Sequence, residues 1–379
     1  MAAPIYLDHN TATPPFAAAL DAFREAQKSL FASSLSPHLA GQGQIPLINE
    51  ALSEIYEMIG ADQGFHFLFS SGGAEAIGEL FYSLFFFRQD VPFGVATTAC
   101  EEASVLLNLE RLEKRGCPWV KVPLSSSGQL TPEALEKALT PQVGLLSFSL
   151  ANPLTGVIHP FEELVQLCKK RGLLIHLDAT AVLGKHLFCL KDLNVDFLTL
   201  DGARLGAPRG TGALFVKEGA PFTPLFLGRE GVNLPGVAAL RDALQELLGS
   251  FERINLETAT LKGRFEKALQ EKIPGCFPLF CESRRLSNTT AMAFGDVSSE
   301  ALLFTLNEAL LFASMGGGLF PKLSHQLVCA GVEPSLAKTA LSFALSSRTT
   351  KEEIDRAASI IKEAVLKLRT LSSPLCSIP

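Results

Sequence analysis

The chain has 379 residues, 47% of them hydrophobic, and a formal net charge of −6. That length admits two domains, or one large and one small, and so much apolar material builds a core without disulfide or metal staples. The mild negative charge leaves no basic footprint, which excludes nucleic acid as an expected partner. The eight cysteines (Cys100, Cys117, Cys168, Cys189, Cys276, Cys281, Cys329 and Cys376) are scattered, with no CxxC pair and no Cys/His metal spacing. They read as reduced, mostly buried thiols of a cytosolic protein, and Cys329 in particular as a buried structural thiol. The opening MAAPIYLDHNTATPP lacks the basic-then-apolar order of a signal peptide. The most apolar window, Leu80 to Phe87, is too short to span a bilayer. A cytoplasmic protein with no membrane partner is expected.

Along the chain, Tyr6 to Pro15 reads as an extended segment with turn chemistry at its end, and Pro15 to Lys28 and Ile45 to Ile59 as amphipathic helices. HFLFSSGG, His66 to Gly73, reads as a strand ending in small residues, with an apolar helix from Ala74 to Phe87. Free N–H groups at such a helix start favour an anion. After VATTACEEASV (Val95 to Val105) comes the connector SSSGQ, then a helix that Thr131 caps and Pro132 opens. Val143 to Leu150 is a buried strand ending in Ala151-Asn152-Pro153-Leu154-Thr155-Gly156, and Pro160 to Arg171 is the next helix.

The centre of the pattern is Ile175 to Val216. An apolar run, Leu173 to Ile175, delivers His176 and Asp178 to a strand end. A second, Val195 to Leu200, ends in Asp201-Gly202-Ala203-Arg204. A turn holding Gly206, Pro208, Gly210 and Gly212 enters a third, Ala213 to Val216. Short apolar runs bounded by glycines are buried strands of an α/β sheet, and polar residues just past their ends sit where open sheets bind ligands. Asp178 and Arg204 are therefore the first candidate site residues. FLGREGVNLPGV (Phe226 to Val237) then leads into a long helical stretch, Val237 to Lys272, and a C-terminal region of mixed strands and helices.

Together these stretches resemble the class V aminotransferases, enzymes that depend on pyridoxal phosphate (PLP), and within them the cysteine desulfurases. The resemblance runs from Tyr6 to Asp355. It implies a fold type I, aspartate aminotransferase-like α/β architecture. A large domain with a mainly parallel sheet would span 15–250 and a smaller α+β C-terminal domain 251–379, with segment 1–14 packed on the small domain. It also implies a dimer: a homodimer, or a heterodimer with an active paralogue. YLDHNTATPP is similar to the family's Y-L-D-N-x-A-T-T-P, with His9 for an asparagine. The phosphate-cradling T-S-G-A-T-E-x-N starts at Ser70, with its asparagine on Ile77 or Gly78, which puts Gly73 and Ala74 at the cradle. Ala74 takes the place of the threonine hydroxyl. T-x-x-E-H-x-A-V matches at Glu101 and places Glu102 where a histidine stacks on the PLP ring. Asn152 matches the residue that bonds the PLP hydroxyl, and Asp178 the partner of the pyridinium nitrogen. Of H-x-D-A-x-Q the glutamine is Ala181. Of S-x-H-K the histidine is Ala203 and the imine-forming lysine is Arg204. Lys185 belongs to a G-K pair and is not that lysine. Near Phe226 to Val237, Gly228, Glu230, Asn233 and Pro235 can be placed, but R-x-G-T is missing. The sulfur-accepting cysteine of S-x-G-S-A-C falls on Leu319, with Ser324-His325 matching the S-H beyond it. The arginine for the substrate carboxylate falls on Ser342, and Arg348 stands six positions on.

Arginine stays protonated and is a poor nucleophile, so Arg204 cannot make the internal imine. With the stacking histidine, the phosphate threonine, the cysteine and the carboxylate-binding arginine changed as well, the sequence predicts no catalytic residue. Gly73, Ala74, Glu102, Asn152, Asp178 and Arg204 would remain as a vestigial cofactor site. No bound cofactor is expected, PLP only if the family activity persists, and no metal. Arg204 is expected to bridge Asp178 and Glu102 in the space PLP would fill, because an unpaired buried charge is costly. The expected function is a scaffolding or regulatory pseudoenzyme in sulfur or iron–sulfur metabolism. The alternatives are an active PLP-dependent desulfurase or lyase with a non-standard site, and a small-anion-binding protein using Ser70 to Gly73 with Arg204.

Overall fold

The structure, a computed structural model, describes residues 3–87, 93–226 and 233–372. The short strand β1 (Ile5–Tyr6) opens the chain. β2 (Phe65–Ser70), β3 (Gly94–Thr98), β4 (Trp119–Val122), β5 (Val143–Ser149), β6 (Leu174–Asp178), β7 (Phe197–Asp201) and β8 (Gly212–Lys217) form a seven-stranded sheet in the order β2-β8-β7-β6-β5-β3-β4. The neighbours from β7 through β4 pair in parallel, whereas β8 runs antiparallel to both β2 and β7. This is the mainly parallel α/β sheet that the glycine-bounded apolar runs predict. β7 shows why those runs are nearly continuous. Leu198 and Leu200 pack with the helices Ile45–Ile59, Phe161–Arg171 and Leu234–Gly249 on one face, while Phe197 packs with Gly73–Phe87 and Ala103–Glu113 on the other. A parallel sheet covered on both faces leaves no solvent side for polar alternation.

Helix ends follow their local chemistry. The Thr131 hydroxyl accepts from the Ala134 N–H at 3.2 Å with Pro132 in the first turn, as the sequence predicts. The long helical stretch to Lys272 is two helices, Leu234–Gly249 and Phe251–Lys272. The break falls at Ser250, whose φ of −118° and ψ of 23° leave the helical region just after a glycine.

A second, antiparallel sheet is built from β9 (Cys276–Pro278), β10 (Thr289–Phe294) and β12 (Ala340–Ala344), in the order β12-β10-β9. β11 (Leu311–Phe312) pairs instead with β1, in parallel. Ile5 and Leu7 are buried among Phe265, Phe294, Phe343 and Ile354, so the start of the chain belongs to this second core. Asp8 adds a bridge to Ala344. The consequence for the site is directional. β5, β6 and β7 all end on the same side of the large sheet, which sets Ser149 beside Asp178 and carries Asp201 two residues past Thr199, the neighbour of Asp178. Among the described residues no helix is long and apolar enough to cross a membrane, and no group of three His, Cys, Asp or Glu could hold a metal ion.

Candidate functional site

At the end of β7 the chain makes a single 3-10 turn, Gly202–Arg204, that swings Arg204 back under the sheet edge. Gly202 is needed there, because a Cβ would lie 2.1 Å from Thr211 Oγ1 and 2.9 Å from the Thr211 carbonyl. The Asp201 Oδ1 fixes the turn by accepting from the Ala203 N–H at 3.0 Å. Arg204 is only 6% exposed, and its Nη1 donates to Glu102 Oε1 in a buried ion pair. Its Nη2 lies 3.6 Å from Asp201 Oδ2, and its guanidinium carbon sits 5.6 Å from the centre of the Phe320 ring.

Asp178 is reached through Glu102, not directly. The two carboxyls share a hydrogen bond, and Asp178 Oδ1 accepts from the Thr180 N–H at 2.9 Å. The expected bridge from Arg204 to Asp178 is thus replaced by a chain, Arg204 to Glu102 to Asp178, with Asp201 as the second acid. Burial pushes Glu102 up to about 7; Arg204 pulls it back and Asp178 pushes it further. For Arg204, burial alone would lower the pKa, but Glu102 and Asp178 outweigh it and hold the guanidinium above its ordinary value. Next door, burial also raises Glu101 to about 7, although Ser149 (N–H at 2.9 Å, Oγ at 2.7 Å) and Thr98 (Oγ1 at 2.9 Å) all donate to it.

The helix Gly73–Phe87 aims its N-terminus at the same place. The Gly73 N–H donates to Asp201 Oδ2 at 3.1 Å, and the Ser71 N–H to Glu75 Oε2 at 2.8 Å. The anion position offered by Ser70 to Gly73 is therefore held by the protein's own carboxylates, with Ala74 adding no hydroxyl. Asp201 was legible in the sequence, since it falls on the serine of S-x-H-K, but the pattern alone did not reveal that it would cap this helix.

The remaining predicted residues are engaged elsewhere. Asn152 accepts from the Leu154 and Thr155 N–H groups (3.0 and 2.9 Å) and donates to Gln326 Oε1 at 2.7 Å. Ser342 donates to the Leu154 carbonyl at 2.6 Å. Leu319 packs against an apolar cluster containing Leu154, Phe320 and Leu323, and its carbonyl accepts from the Ala103 N–H at 2.9 Å. Gly228 and Glu230 lie outside the described residues. Asn233 caps its helix, accepting from the Gly236 N–H at 3.0 Å, with Pro235 in the first turn.

Two groups gain a significance the sequence did not give them. Lys185 is half-buried, and its Nζ donates to Asn10 Oδ1 at 3.0 Å and the Ala181 carbonyl at 3.2 Å. Burial, reinforced by Arg204, lowers it to about 8. Cys329, expected to be buried, is only partly so. It meets the buried Cys100 thiol and lies 3.6 Å from His325 Nε2. The hydrogen bond from Cys100 lowers Cys329 to about 6; burial opposes this, and His325 and Lys121 assist it.

A family model for class-V aminotransferases matches residues 5–356, and the chain belongs to that family. It is 34% identical over 380 residues to a cysteine desulfurase of Sinorhizobium fredii, with 97% of each chain covered. It is 32% identical over 386 residues to one of Nostoc sp., covering 97% of this chain and 94% of that one. Among solved structures, a NifS-like protein superposes with a TM-score of 0.89 at 23% identity, over 97% of this chain and 100% of its own. The apo cysteine desulfurase of Thermococcus onnurineus NA1 gives 0.82 at 18%, over 96% and 95%. The fold is that of the PLP-dependent fold type I enzymes, and the chain is a cysteine desulfurase homologue. PLP is the cofactor this family implies, and the residues present do not fit its imine-bound form. A guanidinium stands where the amine should be, Glu102 joins Arg204 to Asp178 across the ring position, and Asp201 already takes the Gly73 N–H.

Two outcomes follow from these groups. Glu101 titrates higher in the folded chain (about 7) than its ordinary value near 4.5, so the folded state binds the extra proton. Its contribution is fully present below pH ~4.5 and is lost as pH rises toward ~7. Urea midpoints followed between those pH values should fall less steeply in Glu101→Gln than in the parent; equal slopes would contradict the shift. Iodoacetamide at pH 7 should label Cys329 well before Cys100, and Cys100→Ala, which removes the donor, should slow that labelling. Mass-mapped adducts read both effects, and preferential labelling of Cys100 would be the contrary result.

Proposed function

We propose that this protein keeps the class V aminotransferase fold without the imine chemistry of its relatives, and works by binding. The observation that carries this reading is the buried Arg204–Glu102 pair at the cofactor-anchoring position. A permanently protonated guanidinium has no free electron pair for an imine, and here it is also held by an acid. Leu319 supplies no thiol to take sulfur, and Ser342 no charge to hold a substrate carboxylate, which supports the same reading. In it the chain is a cytoplasmic scaffold or regulator in sulfur or iron–sulfur metabolism. It is dimeric, with itself or with an active paralogue. The free state of every described cysteine agrees with a reducing compartment. Phe31, Leu35 and Leu39, which are 82%, 67% and 91% exposed on one short segment, offer apolar surface for an assembly.

One observation favours a second reading, an active PLP enzyme with a non-standard site. Lys185, lowered to about 8, is the kind of amine that forms imines near neutral pH. The two are separated by incubating the purified protein with PLP, recording the absorbance before and after borohydride, and assaying sulfide release from L-cysteine in the same sample. The expected outcome is no aldimine band, no reduced adduct and no sulfide. A reducible adduct that peptide mapping assigns to Lys185 would replace the first reading by the second. Light scattering on the same preparation should return twice the chain mass, and a monomer's mass would remove the homodimer.

A further inference from the structure

Arg204 has two sides. Nη1 is taken by Glu102, and Nη2 faces Asp201 Oδ2 at 3.6 Å without a hydrogen bond; Nε and Nη2 are both left without a hydrogen-bond partner, although the residue is nine-tenths buried. The same residue lines a cavity of about 50 Å³ together with Lys185, Arg348 and His9, and no aspartate or glutamate contributes to the cavity wall. Neither of the other two cations brings an acid with it. Lys185 is held by the neutral oxygens of Asn10 and Ala181. Arg348 donates to the Pro15 carbonyl at 3.0 Å and lies 5.2 Å from the centre of the Phe16 ring.

These like charges act on one another. Arg204 helps to depress Lys185, and Lys185 and Arg348 both help to depress His9, in each case behind the larger effect of burial. Like charges gathered round a small cavity repel, and a guanidinium with two orphaned N–H groups forfeits their hydrogen bonds. A single anion among them relieves both costs. The hydroxyls of Thr13 and Ser346, also on the wall, supply neutral donors. The space suits a group of a few heavy atoms and is too small for a pyridine ring.

We propose that this cavity binds a small oxyanion between Lys185, Arg204 and Arg348, either the carboxylate of an amino acid or an inorganic anion of sulfate size. The site differs from the helix start at Ser70 to Gly73, where Asp201 already holds the anion position. The inference rests on the cofactor-free reading, because Arg204 must stay paired with Glu102. The two fail differently. PLP chemistry would be seen as visible absorbance, whereas anion binding is read by melting the PLP-free protein.

Melting temperatures are compared with sodium sulfate, sodium acetate or L-alanine added, at an ionic strength held constant with sodium chloride, whose anion is not an oxyanion. A saturable upward shift of about 2–4 °C with at least one of these probes is expected. Sulfate as the effective probe points to an inorganic anion, and acetate or alanine to an amino-acid carboxylate. The shift should vanish in Lys185→Met and in Arg348→Gln. Because Lys185 ties Asn10 to Ala181 and its variant can misfold, the exposed Arg348→Gln keeps the test decisive. A shift that persists undiminished in Arg348→Gln, or no shift with any probe, overturns the proposal.

Discussion

A guanidinium buried against acids at the edge of the sheet is the constraint on which the rest of the site depends. Arg204 and Glu102 are both nearly inaccessible, and removing one partner of such a pair typically costs about 3–5 kcal/mol, because the other charge is left stranded. Each neighbour therefore answers to it. Asp201 divides its carboxylate between Arg204, the Gly73 N–H and the Ala203 N–H. Glu102 passes the interaction to Asp178. The glycine at 202 allows the tight turn that brings the arginine in. A sheet edge that commonly receives a ligand is here closed by the protein's own charges.

The second unit seals the same place from above. Phe320 covers the arginine, the Leu319 carbonyl is tied to the first turn of the helix that Glu102 opens, and Gln326 holds the Asn152 side chain. Leu319 thus lies in a segment that is packed and hydrogen-bonded at several points. Two thiols remain nearby: Cys329 ends the next helix and faces Cys100 in the turn after β3, with a histidine beside the outer one.

Much of this was legible in the sequence. The parallel sheet follows from runs such as Val195 to Leu200, whose residues are apolar in succession because both faces are covered. The identity of the site follows from Asp178 and Arg204, which stand at strand ends in the right frame. Partner choice was not legible. Side-chain pairing is decided by a few ångströms of tertiary geometry, so Arg204, expected on Asp178 and Glu102, pairs with Glu102 as expected and with Asp201 in place of Asp178. The capping role of Asp201 is not legible, because a strand-terminal aspartate reads as an ordinary turn residue until the helix opposite is in view. The break at Ser250 was hidden because nothing as strong as a proline marks it. Cys329 was misplaced because periodicity on a helix of seven residues does not settle which side faces inward.

The first strand has a consequence for how the chain is made. β1 finds its hydrogen-bond partner in β11 and its apolar neighbours, Phe343 and Ile354 among them, near the other end of the sequence. On a ribosome the large sheet can close as soon as β8 emerges, while Ile5 and Leu7 wait, unpaired and greasy, for most of synthesis. Contacts so distant along the chain form late and slowly, and the waiting strand is the part most open to capture by a chaperone or by another nascent chain. A bulky fusion placed before residue 3 would burden this last step of folding and leave the formation of the sheet alone.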